Sequence, residues 1–252
     1  MRSSKISVRN VSVTFRAEGR ETKVLERVNL EVNEGELICV LGPSGCGKST
    51  LLNVIGGFLT PGAGEVLIDG KPVSGPDPRR IFVFQERGLF PWLNVEENVS
   101  FGLAKLSRDE RTERVRRYIE LVGLTGFESA YPPELSGGMK QRVEVARALA
   151  VHPDVLFLDE PFGALDSITR MGMRRELLRI WGAEKKTILF VTHDIDESVQ
   201  LADRIVVMGA RGATGVHSIV EVDIPHPREL SSPRYLQIRD GILEAIGLAH
   251  GV

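Results

Sequence analysis

One segment constrains the fold of this 252-residue chain more than any other: a glycine-rich loop between an apolar strand and an apolar helix. The run Glu36–Leu41 is nearly all apolar, which is typical of a strand covered on both faces. The next residues, Gly42-Pro43-Ser44-Gly45-Cys46-Gly47-Lys48-Ser49, match the phosphate-binding pattern G-x-x-x-x-G-K-[ST] without a mismatch. From Lys48 to Phe58, apolar residues recur at three- and four-residue spacings that indicate a buried helix. The order strand, loop, helix predicts an α/β fold with a phosphate-binding site.

The residue types of this loop suit a nucleotide. Glycines let backbone N–H groups surround phosphate oxygens, and the helix that follows directs the positive end of its dipole at the anion. In such a loop the Lys48 ammonium reaches the β- and γ-phosphates and the Ser49 hydroxyl binds Mg²⁺. The expected phosphate-binding residues are Gly42, Pro43, Ser44, Gly45, Cys46, Gly47, Lys48, Ser49 and Thr50.

Strands and helices alternate along much of the remaining chain. Apolar runs predict strands at Val155–Leu158, Thr187–Thr192 and Arg204–Met208, and helical spacing predicts helices at Ile168–Ala183 and Asp196–Leu201. Between Gln85 and Val155 only helical spacing is found, at Glu110–Val122 and Gly138–Val151. This order predicts a mostly parallel sheet covered by helices, with a helical insertion.

Two acidic residues follow the strand Val155–Leu158. Ligands of open α/β sheets bind at the carboxyl ends of the strands, which is where this pair lies. We expect Asp159 to hold Mg²⁺ through water and Glu160 to polarise the water that attacks the γ-phosphate. An Asp-Glu pair by itself is also typical of an ordinary strand end, but beside a matched phosphate loop the catalytic interpretation is favoured.

The segment Leu135–Arg142 allows two interpretations from its residues alone. Ser136 is a natural helix N-cap, so the segment fits a plain helix start. Gly137 and Gly138 at that start also expose backbone donors to an anion, so it equally fits a second phosphate-binding surface.

Charge and hydropathy exclude several classes of protein. Lys and Arg number 32 against 34 Asp and Glu, and this near-neutral chain lacks the broad positive field of a nucleic-acid binder. The charge-rich helix around Glu110–Arg117 pairs with itself at i,i+4, as a solvated face does. The longest apolar run is too short to span a bilayer, and the first residues do not resemble a signal peptide. These features predict a cytosolic protein, in which Cys39 and Cys46 are expected to be unpaired thiols.

Together these motifs resemble those of the ATP-binding-cassette (ABC) ATPases, over roughly Ile6 to Met208. The resemblance implies a P-loop NTPase (RecA-like) core with a mostly parallel sheet, an antiparallel β subdomain and a helical insertion subdomain. Residues 1–252 would then form a single ABC ATPase domain. Its parts would be the nucleotide-binding core at 1–85 and 152–225, the helical subdomain at 86–151 and a short helical tail at 226–252.

The resemblance also assigns roles that the residues alone do not. Phe15 takes the place of the aromatic residue that stacks on adenine, where the family often has Tyr. Gln85 matches the glutamine that contacts Mg²⁺ and the attacking water. Asp166 ends a loop that crosses the dimer interface, and His193 matches the switch histidine at the γ-phosphate. Taken alone, Phe15 favours a core position, Gln85 a loop and His193 a structural role at a helix start.

In ABC ATPases the Leu-Ser-Gly-Gly segment, here Leu135–Gly138, closes over ATP that the partner subunit's phosphate loop holds. The resemblance therefore implies a head-to-tail homodimer that binds ATP and Mg²⁺. Ser136, Gly137, Gly138 and Asp166 would bind nucleotide, and Ser49, Gln85 and Asp159 would serve the metal. The implied catalytic residues are Lys48, Gln85, Glu160 and His193.

Four further segments resemble importer subunits of the nitrate, sulfonate and taurine group. They are Val83–Val99, the signature Leu135–Arg142 with Met139 where Gln is commoner, the stretch Gly75–Asp77 and the Pro-rich Asp223–Arg228. The apolar residues Phe90–Leu93 would offer a docking surface to a helix of the membrane subunit, or else pack locally under the helical insertion.

The implied protein is thus the ATP-hydrolysing, energy-coupling subunit of an importer for a small anion. Its partners would be integral-membrane permease subunits and a separate extracytoplasmic substrate-binding protein. It would lie peripherally on the cytoplasmic side of the cell membrane. The alternatives are the ATPase subunit of a lipid or drug exporter and, more distantly, an ABC ATPase acting on nucleic acid. An uninterrupted cassette without a heptad run disfavours the latter, and no nucleic-acid partner is expected.

Overall fold

The protein alternates short strands and helices; its structure, a computed structural model, describes residues 4–17, 20–84, 88–163, 165–209 and 214–247. The strands are β1 (Ser4–Ala17), β2 (Arg20–Asn33), β3 (Leu37–Leu41), β4 (Ala63–Ile68), β5 (Lys71–Pro72), β6 (Arg80–Val83), β7 (Val155–Asp159), β8 (Thr187–Thr192), β9 (Arg204–Met208) and β10 (Val216–Glu221). The α-helices are α1 (Lys48–Gly56), α2 (Val95–Ser100), α3 (Arg108–Leu121), α4 (Gly137–Ala150), α5 (Ser167–Glu184), α6 (Ile195–Leu201) and α7 (Pro233–Ala245).

Backbone contacts divide the chain into two units. The first comprises Met1–Asp77 and Thr187–Val252, and the second comprises Pro78–Lys186. Strands β6 and β7 and helix α5 are therefore grouped with the helices α2 to α4. The finer division with a helical subdomain at 86–151 stays a prediction.

A parallel sheet lies at the centre of the first unit. Strand β3 pairs in parallel with β8 on one side and with β9 on the other, and β10 runs antiparallel to β9. All five side chains of β3 are buried, as its unbroken apolar sequence predicts. Because Leu41 pairs with Thr192 and with Val207, three strands end at the same edge of the sheet. The loops that carry the candidate site start from this edge.

The first unit also contains an antiparallel sheet in the order β2-β1-β4-β5. Alternate side chains of β1 face its core, with Ile6, Val8, Val11 and Val13 at most 4% exposed. The register between β1 and β2 shifts at several points. These shifts explain why apolar and polar residues alternate only roughly along β1.

The second unit packs helices beside the parallel pair β6 and β7. Its helices start at side-chain caps that can be read in the sequence. Asn94 and Ser107 form capping boxes with Glu97 and Glu110, and Asp166 caps α5. Buried apolar residues of α3 and α4 form the core of the helical part.

These sheets and helices agree with the expected α/β fold class, and most of the predicted elements lie within about two residues of the observed ones. Three elements were not predicted: the two-residue strand β5, helix α2 and strand β10. Helix α2 is only six residues long, and β10 alternates between half-buried and exposed positions in a sequence without strict apolar alternation. Pairing with β9 is what makes the latter segment a strand. No helix within the described ranges has both the length and the apolar character to cross a bilayer.

Candidate functional site

The loop after β3 has three positions at which its backbone favours glycine. A Cβ atom on Gly42 would lie 2.5 Å from the Met208 carbonyl oxygen and 2.8 Å from the Cys46 sulfur. Gly45 and Gly47 adopt φ values of 80° and 101°, in the left-handed region that side chains disfavour. Gly42 is therefore needed for the close approach of the loop to β9, and Gly45 and Gly47 are needed for the left-handed turns of the backbone.

Lys48 and Ser49 begin helix α1 directly after this loop. The Lys48 side chain is buried, and its Nζ donates to the carbonyl oxygens of Gly42 at 2.8 Å and Pro43 at 3.0 Å. The ammonium is thereby held inside the turn of the loop, while the Ser49 residue is exposed. No side chain caps α1 and its first turn carries no acidic residue, so its N-terminal N–H groups suit an anion.

Cys46 occupies a variable position of the loop and is a free thiol, as is Cys39. Burial raises the pKa of the Cys46 thiol, and the nearby Lys48 ammonium opposes part of that effect. The thiol therefore stays neutral at physiological pH and adds no negative charge to a loop that is built to attract phosphate.

His193 follows β8 at the sheet edge where the phosphate loop follows β3. Because Leu41 pairs with Thr192, the residues that follow them, Gly42 and His193, leave the sheet side by side. His193 is exposed, and Asp194 next to it caps α6 by accepting from the Glu197 N–H at 2.9 Å. The tertiary structure thus brings together two predicted site elements that are about 150 residues apart in the sequence.

Phe15 lies on β1, and its ring is 45% exposed. The core position that its sequence alone favours is therefore wrong. An exposed aromatic face is available for stacking, as the adenine assignment requires.

In the second unit, Asp159 ends β7 and Glu160 follows it. Both side chains are half-buried, and the backbone of Glu160 adopts φ 45°. This left-handed conformation is uncommon for a residue other than glycine and costs about 1 kcal/mol or more. Strained backbone conformations of this kind are typical of functional positions. At Glu160 the conformation determines the direction in which the side chain leaves the end of β7.

Ser136 caps α4, because its Oγ accepts from the Met139 N–H at 3.2 Å. A Cβ atom on Gly138 would lie 2.8 Å from the Thr169 methyl carbon, so glycine permits close contact between α4 and the first turn of α5. The structure therefore contains the helix cap of the first interpretation. It also leaves Ser136 exposed, which the phosphate-binding interpretation requires.

Asp166 lies at the start of α5 and is engaged in capping. Its carboxylate accepts from the Ile168 and Thr169 N–H groups at 3.1 and 3.0 Å and from the Thr169 hydroxyl at 2.7 Å. The Thr169 N–H is the main cause that lowers the pKa of Asp166. The carboxylate is therefore held charged and oriented at the end of the Gly163–Asp166 loop, of which residue 164 is outside the described ranges.

Gln85 lies outside the described residues, so its predicted catalytic and metal roles receive no structural account. The next described residue is Gly88, whose N–H donates to Glu144 Oε1 at 2.7 Å.

Sequence reasoning missed two polar residues of α4, Glu144 and Gln141, which are both buried. Gln141 Nε2 donates to the Pro161 carbonyl, just after Glu160, and so ties the signature helix to the end of β7. Their sequence signal is a pair of polar residues at i,i+3 within a mostly apolar helix.

The apolar segment 90–93 is divided between packing and exposure. The Phe90 ring contacts Phe101 at 4.3 Å between centroids, and the Arg147 guanidinium lies 5.2 Å over it. Trp92 is 70% exposed and Phe101 is 59% exposed. Next to them a cleft of about 220 Å³ is lined by Phe84, Phe101, Arg147 and neighbouring residues. Phe90 therefore fits the local packing role, and Trp92 fits the role of a docking surface.

Comparisons with known proteins agree on one family. Residues 25–163 match the family model for ABC transporters. An uncharacterized ABC transporter ATP-binding protein of Methanocaldococcus jannaschii is 48% identical over 244 residues, which cover 96% of this chain and 91% of the relative. The aliphatic sulfonates import ATP-binding protein SsuB of Bacillus cereus is 45% identical over 239 residues, which cover 95% and 94%.

A solved structure shows the same fold. It is a dimeric, post-hydrolysis state of an ATP-binding cassette bound to ADP and Pi, with a TM-score of 0.74 and 34% identity. The match covers 87% of this chain and all of that one. The chain therefore belongs to the ABC transporter family, as an ATP-binding subunit whose ATP hydrolysis is coupled to transport.

Proposed function

We propose that this chain is the energy-coupling subunit of an importer for a small organic anion of the sulfonate class. The observation that carries the proposal is the 45% identity to an aliphatic sulfonate import subunit over nearly the whole of both chains. The Pro-rich segment Asp223–Arg228 and Met139 in the signature resemble this group and support the same assignment.

Each predicted residue has one role in the proposed ATP site. The backbone of Gly42–Thr50 binds phosphate, and the Lys48 ammonium, held by two loop carbonyls, contacts the β- and γ-phosphates. Glu160 polarises the attacking water, and His193 orients it beside the γ-phosphate. Phe15 stacks on the adenine.

The donor set suits Mg²⁺. The Ser49 hydroxyl, the Asp159 carboxylate and the Gln85 amide are hard oxygen donors, which this ion prefers, and it commonly keeps several waters in nucleotide sites. When bound, Mg²⁺ neutralises charge on the phosphate oxygens.

The complete site needs a second copy of the chain. Ser136, Gly137 and Gly138 lie at the start of α4, where Ser136 is exposed, and they would contact nucleotide held by the partner's phosphate loop. The Asp166 carboxylate would contact the nucleotide from the interface loop. A solved cassette that is dimeric and bound to ADP and Pi supports a homodimer, and the resemblance to ABC ATPases implies the head-to-tail arrangement.

Permease subunits would supply the transport path. The exposed Trp92 and Phe101 and the adjacent cleft offer an apolar surface of the kind that binds a partner helix. A separate extracytoplasmic binding protein would deliver the anion, and this chain would stay peripheral on the cytoplasmic side.

Replacing Glu160 by Gln tests the catalytic assignment. The amide keeps the size of the side chain but cannot take a proton from water, so we expect ATP turnover to fall at least 100-fold, at the low end of general-base effects. ATP binding should persist, and the variant should run as a dimer in ATP on size exclusion. Glu176→Gln, which makes the same change at an exposed ion pair on α5, should hydrolyse ATP normally. Unimpaired hydrolysis by Glu160→Gln would overturn the assignment.

Reconstitution tests the import assignment. The chain would be purified with its permease in proteoliposomes, and ATPase activity measured with the binding protein and alkanesulfonates, taurine or nitrate. We expect sulfonates to stimulate turnover. If none of these anions does, the substrate class is wrong, whereas ATPase activity belongs to the family and stands.

A further inference from the structure

The segment after β10 is attached to both ends of helix α6. We call residues 222–247, which include α7, the tail segment. Helix α6 begins two residues after His193, so its position bears on that histidine. All the residues involved belong to the first unit.

Arg228 binds the C-terminal end of α6. Its Nη1 donates to the carbonyl oxygens of Val199 at 2.6 Å and Ala202 at 2.7 Å, and its Nε donates to Ile224 at 2.8 Å. The last carbonyls of a helix lack partners within the helix and carry partial negative charge, so a guanidinium there is favourable. His226 of the tail segment binds the Gln200 carbonyl at 3.1 Å and adds to this attachment.

Tyr235 binds the other end of α6. Its ring is almost fully buried, and its hydroxyl lies 3.2 Å from the Asp196 carbonyl oxygen and 3.0 Å from Asp196 Oδ1. Asp196 is in the first turn of α6. The tail segment therefore restrains this short helix at its start and at its end, whereas a helix of seven residues has little stability by itself.

A hydrogen-bond network connects α6 to His193. The Thr192 hydroxyl donates to Glu197 Oε2 at 2.5 Å, and the Asp194 N–H donates to Thr192 Oγ1 at 3.0 Å. Asp194 in turn accepts from the Glu197 N–H. Both chain neighbours of His193 are thus tied to the first turn of α6, so a shift of the helix moves the backbone that carries the imidazole.

We propose that the tail segment positions His193 through α6, with Arg228 and Tyr235 as positioning residues. The proposal rests on the proposed role of His193 in hydrolysis. It goes beyond that role in giving residues 222–247 a part in the rate of the chemical step. The hydrogen bonds of Arg228 and Tyr235 go to α6 and to the tail segment, so substitutions there should affect turnover more than ATP binding.

The test compares kcat with KM for ATP in Arg228→Met, Arg228→Lys and Tyr235→Phe. A small displacement of a catalytic group costs up to about 100-fold in rate, so we expect kcat of Arg228→Met to fall about tenfold while KM changes less than twofold. Arg228→Lys, which keeps the charge, should recover part of the loss, and Tyr235→Phe should lose less because it removes one hydroxyl. Arg234→Ala is the matched control. Arg234 lies beside Tyr235 but pairs with Asp223 and Gln237 of the tail segment.

A double-variant cycle identifies the path of the effect. If Arg228 acts through His193, then Arg228→Met should cause no further loss of kcat in a His193→Ala background. An equal loss in both backgrounds overturns the proposal, as does wild-type kcat in folded Arg228→Met and Tyr235→Phe. If Arg228→Met fails to fold in a thermal melt, Tyr235→Phe alone carries the test. An unchanged kcat in His193→Ala overturns the role of His193 in hydrolysis as well. This result distinguishes a failure of the proposed function from a failure of the positioning role of the tail segment.

Discussion

Gly42 shows how a single residue decides whether the phosphate loop can form. The space beside its Cα is taken by the Met208 carbonyl oxygen and the Cys46 sulfur. A methyl group there forces the loop away from β9, because contacts below 3.0 Å to a backbone oxygen cannot be relieved by a rotamer change.

We therefore expect Gly42→Ala to destabilise the fold by about 2 to 3 kcal/mol and to abolish tight ATP binding. Thermal melts and nucleotide titration measure the two effects. A stable variant that binds ATP normally would contradict the close approach of this loop to β9.

The sequence allows Ser136 to be either a helix cap or part of a phosphate-binding surface, and substitutions can distinguish these two roles. Ser136→Asp keeps a good N-cap but places negative charge beside the phosphates, so stability should be retained and ATPase activity lost. Ser136→Ala should cost about 1 kcal/mol of stability. Full ATPase activity in Ser136→Asp would reduce Ser136 to a helix cap. Chemical denaturation and steady-state hydrolysis provide the measurements.

At the scale of elements, replacing a helical glycine by alanine has opposite consequences in α4 and α5 because the space beside the two glycines differs. Gly172 in α5 has nothing within 4 Å of the place where its Cβ would lie, so Gly172→Ala should gain about 0.5 to 1 kcal/mol from helix propensity. A Cβ on Gly138 in α4 would lie 2.8 Å from the Thr169 methyl carbon, and the Thr169 hydroxyl is held by Asp166, so Gly138→Ala should lose stability despite the propensity gain. Urea denaturation of both variants checks the sign. Loss in both would show that propensity is overridden in α5 as well.

Elements with strong local signals were predictable and those held by partners were not. Helix α5 was expected at Ile168–Ala183 and is found at Ser167–Glu184, because Asp166 is a cap residue and the apolar face repeats at helical spacing. Strand β8 matches its apolar run Thr187–Thr192 in full. Strand β10 is extended because it pairs with β9. The six residues of β10 do not show this by themselves, because their partners on β9 are 8 or more residues away in the chain.

For the whole molecule, two histidines with lowered pKa values link stability to pH. Tyr118 lies between His152 and Glu184, with its hydroxyl 3.2 Å from His152 Nε2. Burial, aided by Arg114, lowers the pKa of His152, and burial raises the pKa of Tyr118 to about 12. Burial also lowers the pKa of His226. The folded protein therefore favours neutral imidazoles at these positions.

The sign of the pH effect follows from these directions. An unfolded chain takes up protons near the ordinary histidine pKa of 6.5, whereas the folded chain takes them up only at lower pH. Stability should be intact above pH 6.5 and decrease as pH falls below it. His152→Asn, which tolerates the positive φ at this position, should flatten the decrease in Tm between pH 6.5 and 5.5. His217→Asn, on exposed β10, is the control, and an unchanged slope in His152→Asn would contradict the prediction.

The sequence alone determined the chemistry of this protein, because phosphate binding depends on contiguous residues: a buried strand, a glycine loop and the helix after it. It also determined the acidic pair and the signature, each of which is local. Only the tertiary structure decided what these segments adjoin. It paired β3 with β8, which brings His193 beside the phosphate loop, and it tied the tail segment to α6. The physical reason is that a spacing pattern records which face of an element is buried, whereas strand pairing and side-chain contacts depend on residues far apart in the chain.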